Sequence, residues 1–391
     1  MSLKKYLLCL TTFSLLSSVA YAESSIFAYV GTYNPNGEGI YLMEMDTKTG
    51  ALTKKGIVSD LPNPAQLVLN KNNTVLYVAS ETANFNNGNN GSIAAFKLDQ
   101  KTGSLKKINE VDAKGAGPVY LTTTQNDTML LVANYQSGSI ATFPLTKDGT
   151  LNEEPSFVFQ SKGTAGAPRP EAAVEGSFAI SDHDGPHAHM IDVDPSGKYV
   201  FSTDLGLDRI YQWKFDIENK KLVANEPAYI EASSKGAGPR HFVFHPNNKF
   251  VYLINEEAST ITFYEMDDKG NLTEKQTQSS LPKGYKGTAF ASGLLISHDA
   301  RFIYAVNRLH NSISVFTISG NGELELIDNT WTRGDYPRTI TFDPSGKYLY
   351  AMNQRSDNIA LFKVDAKTGK LEFTNQFTAV GAPSQMVFVQ N

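Results

Sequence analysis

The octapeptide Pro239-Arg240-His241-Phe242-Val243-Phe244-His245-Pro246 returns downstream as Pro337-Arg338-Thr339-Ile340-Thr341-Phe342-Asp343-Pro344. In both places a short polar turn follows (Asn247-Asn248-Lys249, Ser345-Gly346-Lys347). Then come a second apolar run (Phe250 to Asn255, Tyr348 to Asn353), a third (Thr260 to Glu265, Asn358 to Val364) and a weaker fourth (Leu272 to Gln276, Leu371 to Asn375). The same unit starts near Pro64, Pro118, His189 and Ala291. A seventh is split between the chain ends: Pro383 to Val389 supplies its first strand, and Phe27 to Gly31, Gly39 to Met45 and Leu52 to Ile57 supply the rest. A spacing of about 50 residues is that of propeller blades.

Period-two alternation bounded by Gly, Asn, Asp and Pro predicts strands throughout, with almost no helical periodicity. Four short antiparallel strands repeated seven times must bury both faces of every sheet, and radial packing of blades does so while leaving only short edges. The predicted fold is all-β: a single seven-bladed β-propeller over 23–391, each blade a four-stranded antiparallel sheet, the ring closed by pairing N- and C-terminal strands. A large sandwich or a β-helix fits the turn spacing less well. Hydrophobic residues at 41% and aromatics at 11% supply the core.

The first 22 residues read as a signal peptide. Lys4 and Lys5 give a positive start, Tyr6 to Val19 an apolar stretch, and Ala20-Tyr21-Ala22 a small-x-small cleavage site. Cleavage after Ala22 predicts a periplasmic or secreted protein with no membrane association, and polar residues such as Thr11, Ser14 and Ser17 weaken the alternative of a retained anchor. The only cysteine, Cys9, lies inside this segment. The mature chain is thus expected to have no disulfide, no thiolate nucleophile and no cysteine-ligated metal. A formal net charge of -5, without a basic run, argues against nucleic-acid partners. A monomer is expected.

The repeat also predicts geometry. In an antiparallel pair joined by a tight turn, the start of the first strand lies beside the end of the second. Arg240 opens one inner strand and Glu256 follows the strand after it, so the two should meet at one mouth of the ring. Counting back six residues from the turn proline gives Arg240, Arg338 and His189 as equivalent inner positions; Ala65, Val119 and Ser384 fill others. The closing position after the second strand gives Glu81, Glu256, Arg308 and Gln354. A ring of Glu81, His189, Arg240, Glu256, Arg308 and Arg338 is therefore expected around one opening, with Gln354 near it and His187 sharing the parity of His189. His241 is expected on the opposite side of its strand from Arg240. The residue preceding the closing position recurs as Asn134, Asp204, Asn255, Asn307 and Asn353, which suits a structural hydrogen-bonding role. No metal-ligand cluster, no nucleophile elbow and no phosphate-binding glycine loop is seen, so neither a metal nor a cofactor is expected. An insertion, Ser161 to Gly185, interrupts the repeat and reads either as a lid over one face or as a surface excursion.

Tyr29-Val30-Gly31-Thr32-Tyr33, Asp204-Leu205-Gly206-Leu207-Asp208-Arg209 and Gly238-Pro239-Arg240-His241-Phe242-Val243-Phe244-His245-Pro246 with Asn255-Glu256 resemble the lactonase family of propellers. That family includes propeller-type 6-phosphogluconolactonases and carboxymuconate cycloisomerases. The resemblance implies a small lactone or carboxylate substrate and a catalytic set of one His, two Arg and one Glu. These fall on His189 (or His187), Arg240, Arg308 and Glu256, with Glu81, Arg338, His187 and Gln354 as substrate-binding candidates. Lactone hydrolysis, cycloisomerisation and a non-catalytic binding scaffold remain open at this point, and an exported relative is expected to meet a substrate other than a cytoplasmic phosphogluconolactone.

Overall fold

The computed structural model describes residues 25–164, 170–216 and 218–389; the signal-peptide expectation for 1–22 lies outside them. The chain forms seven four-stranded antiparallel sheets arranged in a ring. In one of them Pro383–Phe388 is innermost and pairs with Ser25–Thr32, followed by Ile40–Asp46 and Leu52–Ser59. Tyr29 stands opposite Val387 on one side and Leu42 on the other, so the chain ends are knitted by backbone hydrogen bonds into one sheet. Without that pairing the first and last blades would meet by side-chain packing alone. No helix among the described residues is long and apolar enough to cross a membrane.

The core is a series of layers between blades. One layer joins Val75, Tyr77 and Ile93 to Leu121, Leu130, Val132 and Phe143 of the following blade. Tyrosines on the second strands seal these layers. Tyr29, Tyr77, Tyr252, Tyr304 and Tyr350 are fully buried, and each hydroxyl donates to the carbonyl of a turn glycine in the next blade: Gly103, Gly149, Gly322, Gly369 and Gly50. Burying a ring of this size contributes about 2–3 kcal/mol, and the hydroxyl finds the partner that burial demands. The Tyr350–Gly50 bond, 2.7 Å, spans the ring closure. Gly50 has φ +73°, and a Cβ there would meet the Tyr348 ring at 2.8 Å, so a side chain is excluded both by space and by backbone.

Three of the recurrent asparagines tie their blade to the backbone of the preceding one. Asn134, Asn307 and Asn353 each donate Nδ2 to a carbonyl at the end of an outer strand (Ala113, Ser280, Thr332; 3.0 Å each). This holds the loops that frame one face of the ring.

A bulge sits at the start of the inner strands on that same face. Pairing slips between Pro64 and Gln66, Pro118 and Tyr120, Ala188 and Met190, Pro239 and His241, and Pro337 and Thr339. The skipped residues are Ala65, Val119, His189, Arg240 and Arg338. A bulge re-aims the unpaired residue and tightens the local twist. In four of these five blades the skipped residue, Val119, His189, Arg240 or Arg338, lines the central mouth.

Candidate active site at the mouth of the ring

Bulge residues and closing residues converge on a cavity of about 240 Å³. Its walls include His189, Arg240, Glu256, Arg308, Glu81 and Arg338, the six side chains that the repeat geometry assigns to one opening. Arg240 is only 1% exposed and Glu256 7%. Arg240 Nε donates to Glu256 Oε2 at 2.8 Å, and Arg308 Nη2 closes on the same oxygen. Arg240 Nη1 also donates to the Ser292 carbonyl at 2.6 Å, and Arg308 Nε to the Phe290 carbonyl at 3.1 Å. Across the cavity, Arg338 Nη2 donates to Glu81 Oε2 at 3.2 Å and lies over the Tyr33 ring.

The electrostatics follow from this wiring. Burial raises the Glu256 carboxyl, but the Arg308 and Arg240 guanidiniums outweigh burial and hold it below its usual range, so it is a carboxylate at neutral pH. Burial, and then the like charge of Arg308, push Arg240 down to about 9, which leaves it cationic. His189 is driven well below the ordinary histidine range by burial first, then by Arg240, His241 and Arg338. It is a neutral imidazole whose buried Nδ1 has no hydrogen-bond partner among the described residues.

Six residues on the walls were not expected from sequence: Tyr135, Tyr336, Phe290, Ile180, Ser181 and Asp182. Tyr135 packs edge-on against His189, with ring centres 5.3 Å apart. Tyr336 accepts from Arg308 Nη1 at 3.3 Å. Ile180 and Asp182 come from the insertion. Tyr135 occupies the same position after a recurrent asparagine as Glu256 and Gln354 do, so reading that slot for aromatic hydroxyls as well would find it.

Two candidates stand away from the walls. His187 stacks on the outer side of Tyr135 (ring centres 4.7 Å), with Nε2 on Asp184 at 2.7 Å and Nδ1 on the Tyr135 carbonyl at 3.1 Å. Gln354 begins a short 3₁₀ turn, Gln354–Ser356, and is not among the lining residues. His241 is placed differently from the alternation-based expectation. The bulge after Pro239 breaks the alternation, so His241 faces the central channel just below Arg240: its Nε2 lies 3.3 Å from Arg240 Nη1 and its ring 5.0 Å from that of His189. Below it the channel widens into a 350 Å³ cavity with Tyr120, Asp192, Gln66 and Gln385 in its wall.

The insertion covers part of the mouth. Ser181 N donates to Glu257 Oε2 at 2.6 Å, and Phe178 N to Thr288 Oγ1 at 2.8 Å. Asp182 Oδ2 accepts from the Tyr135 hydroxyl at 2.9 Å. Glu256 thus binds the site's arginines while its neighbour Glu257 holds the strap above them. His183 lies buried beneath this strap, its Nε2 3.8 Å from Asp208. Among the described residues no group of three His, Cys, Asp or Glu is arranged to hold a metal ion.

Known proteins are similar to this chain along almost its whole length. A 6-phosphogluconolactonase from Bacillus subtilis is 33% identical over 364 residues, covering 92% of this chain and 97% of the relative. A 6-phosphogluconolactonase from Formosa agariphila is 32% identical over 365 residues, covering 92% and 98%. The solved structure of the periplasmic gluconolactonase of Pseudomonas aeruginosa superimposes with a TM-score of 0.85 at 28% identity, covering 94% of this chain and 99% of that one. The family model described as lactonase, 7-bladed β-propeller, matches residues 27–388, from the strand that closes the ring to the strand it closes on, so the chain belongs to that family.

Proposed function

We propose that this protein is an exported lactonase that hydrolyses a sugar-type lactone at the Arg240–Glu256–Arg308 cavity without a metal. The observation that carries the reading is the convergence of two buried guanidiniums, one carboxylate and one neutral imidazole on a single small cavity. Its relatives named as lactonases support the reaction class. The signal-like start of the sequence and the periplasmic gluconolactonase neighbour support export.

In this mechanism the lactone carbonyl lies against Arg240 and Arg308. Water attacks the carbonyl carbon, and negative charge gathers on the carbonyl oxygen, where fixed guanidinium N–H groups stabilise it. His189 takes the proton from the attacking water, because it is neutral, whereas Glu256 is held as a weakly basic carboxylate by its two arginines. Collapse of the tetrahedral species breaks the ring C–O bond, and the proton on His189 passes to the departing ring oxygen. The products are one hydroxyl and one carboxylic acid, which releases its proton to solvent and leaves as a carboxylate. Glu256 positions both arginines, and Tyr135 fixes the plane of the His189 ring. In this reading Arg240 and Arg308 supply the positive charge that a Lewis-acid metal would otherwise supply, and the pairing of Glu256 and Glu81 with arginines supports it.

The test is a pH-stat assay of the purified mature protein on a panel of plain and phosphorylated sugar lactones, with and without a chelator. Turnover above the spontaneous rate, insensitive to chelator, is expected. A protein that opens none of the panel would end the lactonase reading.

A further inference from the structure

Three guanidiniums face the cavity, those of Arg240, Arg308 and Arg338, and three carboxylates face them, those of Glu256, Glu81 and Asp182. The formal charges cancel. Two of the carboxylates are spoken for: Glu256 holds Arg240 and Arg308, and Glu81 holds Arg338. Asp182 is different. Among the described residues it has no cationic partner; its recorded bond is to the neutral Tyr135 hydroxyl, and it is exposed at the mouth. It is not adrift there, because the backbone on either side of Ile180 is tied down through Ser181 to Glu257 and through Phe178 to Thr288.

This balance has a consequence for the substrate. A phosphate ester would bring roughly two negative charges into the cavity at neutral pH. It would compete with Glu256 and Glu81 for arginine N–H groups already turned toward them, weakening pairs of which the Glu256 one is buried, which is unfavourable. It would also pass Asp182 on entry. An uncharged polyhydroxy lactone makes no such demand. Its hydroxyls can donate to the carboxylates and accept from the guanidiniums without separating any pair.

We propose that the pocket selects an uncharged polyhydroxy lactone over its phosphorylated counterpart, and that Asp182, brought to the mouth by the 161–185 insertion, is a specificity-determining residue for that choice. The inference rests on the lactonase reading above. It assigns the insertion a role: to complete the charge balance of the cavity with one more carboxylate.

The experiment compares kcat/KM for a plain hexonolactone and for its 6-phosphate ester in the wild-type protein, Asp182→Asn and Asp182→Lys. The wild type is expected to favour the plain lactone by roughly tenfold or more, a discrimination of the kind that one repulsive charge supplies. The preference should shrink in Asp182→Asn, shrink further or invert in Asp182→Lys, and weaken for the wild type as salt is added. A purely structural role for Asp182 would not order the ratio by charge. A wild-type preference for the phosphorylated lactone, or a ratio that stays the same across the three proteins, overturns the proposal while leaving the lactonase reading intact. If the wild type opens neither lactone, the lactonase reading itself falls, and this inference with it.

Discussion

Arg240 and Glu256 lie sixteen residues apart in sequence and meet through a 2.8 Å hydrogen bond at the top of one blade, with Arg308 of the next blade closing on the same carboxylate oxygen. One buried anion thereby holds two buried cations, and removing it strands both. Glu256→Gln is expected to destabilise the fold by about 3–5 kcal/mol, the usual loss when a buried pair is broken from one side. Calorimetry should show a Tm several degrees lower, together with loss of lactone turnover. A variant as stable as the wild type would mean that the arginines do not depend on this carboxylate.

The two sides of the cavity are expected to differ in importance. Arg240 touches Glu256 and is almost wholly buried beside His189, whereas Arg338 pairs with Glu81 across the mouth. Losing one oxyanion donor typically lowers kcat by about 10²–10³. Arg240→Ala should fall in that range and Arg338→Ala well short of it, measured as initial rates on the same lactone. Equal and negligible effects would remove this cavity from consideration.

Positive charge around His189 sets the pH profile. Burial comes first, and Arg240, His241 and Arg338 then add to it, so the imidazole stays neutral well below pH 6.5. As a base it is competent wherever it is neutral, and the acid limb of kcat/KM should lie below the ordinary histidine value. Arg338→Met removes one of the three charged or titratable neighbours and should move that limb toward higher pH. His189→Gln should remove the limb along with most of the rate, about 10²–10⁴-fold. A limb that stays in place in Arg338→Met would show that another group carries it.

Stability should depend on pH in two opposed ways. His189 and His241 are both held neutral when folded, while the unfolded chain protonates its histidines near pH 6.5. The unfolded state then binds more protons, and stability falls as pH drops below that value. Asp192 acts the other way. It faces the channel cavity between Tyr120 and Thr122 on one neighbouring strand and His241 on the other, and burial raises its carboxyl to about 6, with the Val193 N–H and the Thr122 hydroxyl offsetting only part. The folded state keeps its proton longer than the unfolded one, so this contribution to stability is complete at low pH and lost as pH rises from about 4 to 6. Asp192→Asn should therefore gain about 1–3 kcal/mol relative to the wild type at pH 7 but not at pH 4, the range allowing for screening by channel solvent. Denaturant melts at the two pH values decide it, and a gain of equal size at both would contradict the assignment.

The fold was legible because each blade restates the same pattern, and the site because a repeat carries position as well as structure. Counting six residues back from a turn proline finds His189, Arg240 and Arg338 without knowing that they are bulge residues. The bulge itself was not legible: strict alternation puts His241 behind Arg240, and only the slipped pairing after Pro239 turns both toward the channel. Tyr135 is legible only if the slot after the recurrent asparagine is read for phenols as well as for charged and amide side chains. Gln354 shares that slot but begins a 3₁₀ turn and is not among the lining residues, a local choice that the repeat does not encode. The insertion has no repeat to place it, so Asp182 and Ile180 could be found only in three dimensions.

Glu257 offers a way to separate the strap from the chemistry beneath it. It is 1% exposed, its Oε2 accepts from Ser181 N, and burial, the largest influence, holds its carboxyl above the usual range despite the opposing Ser181 contact. Glu257→Gln keeps an acceptor for Ser181 and should leave the strap docked, whereas Glu257→Ala removes it. In the alanine variant, substrate should bind less well while the catalytic groups stay in place, so KM is expected to rise roughly five- to tenfold with kcat changed far less, the signature of lost uniform binding. Limited proteolysis should cut within 161–185 faster in the alanine variant than in the glutamine one. If both variants lose kcat equally, Glu257 supports the Arg240–Glu256 pair directly and the strap is not an independent element. If KM and cleavage are unchanged in both, the strap is held by its other contacts, those with Thr288 and Tyr135 among them.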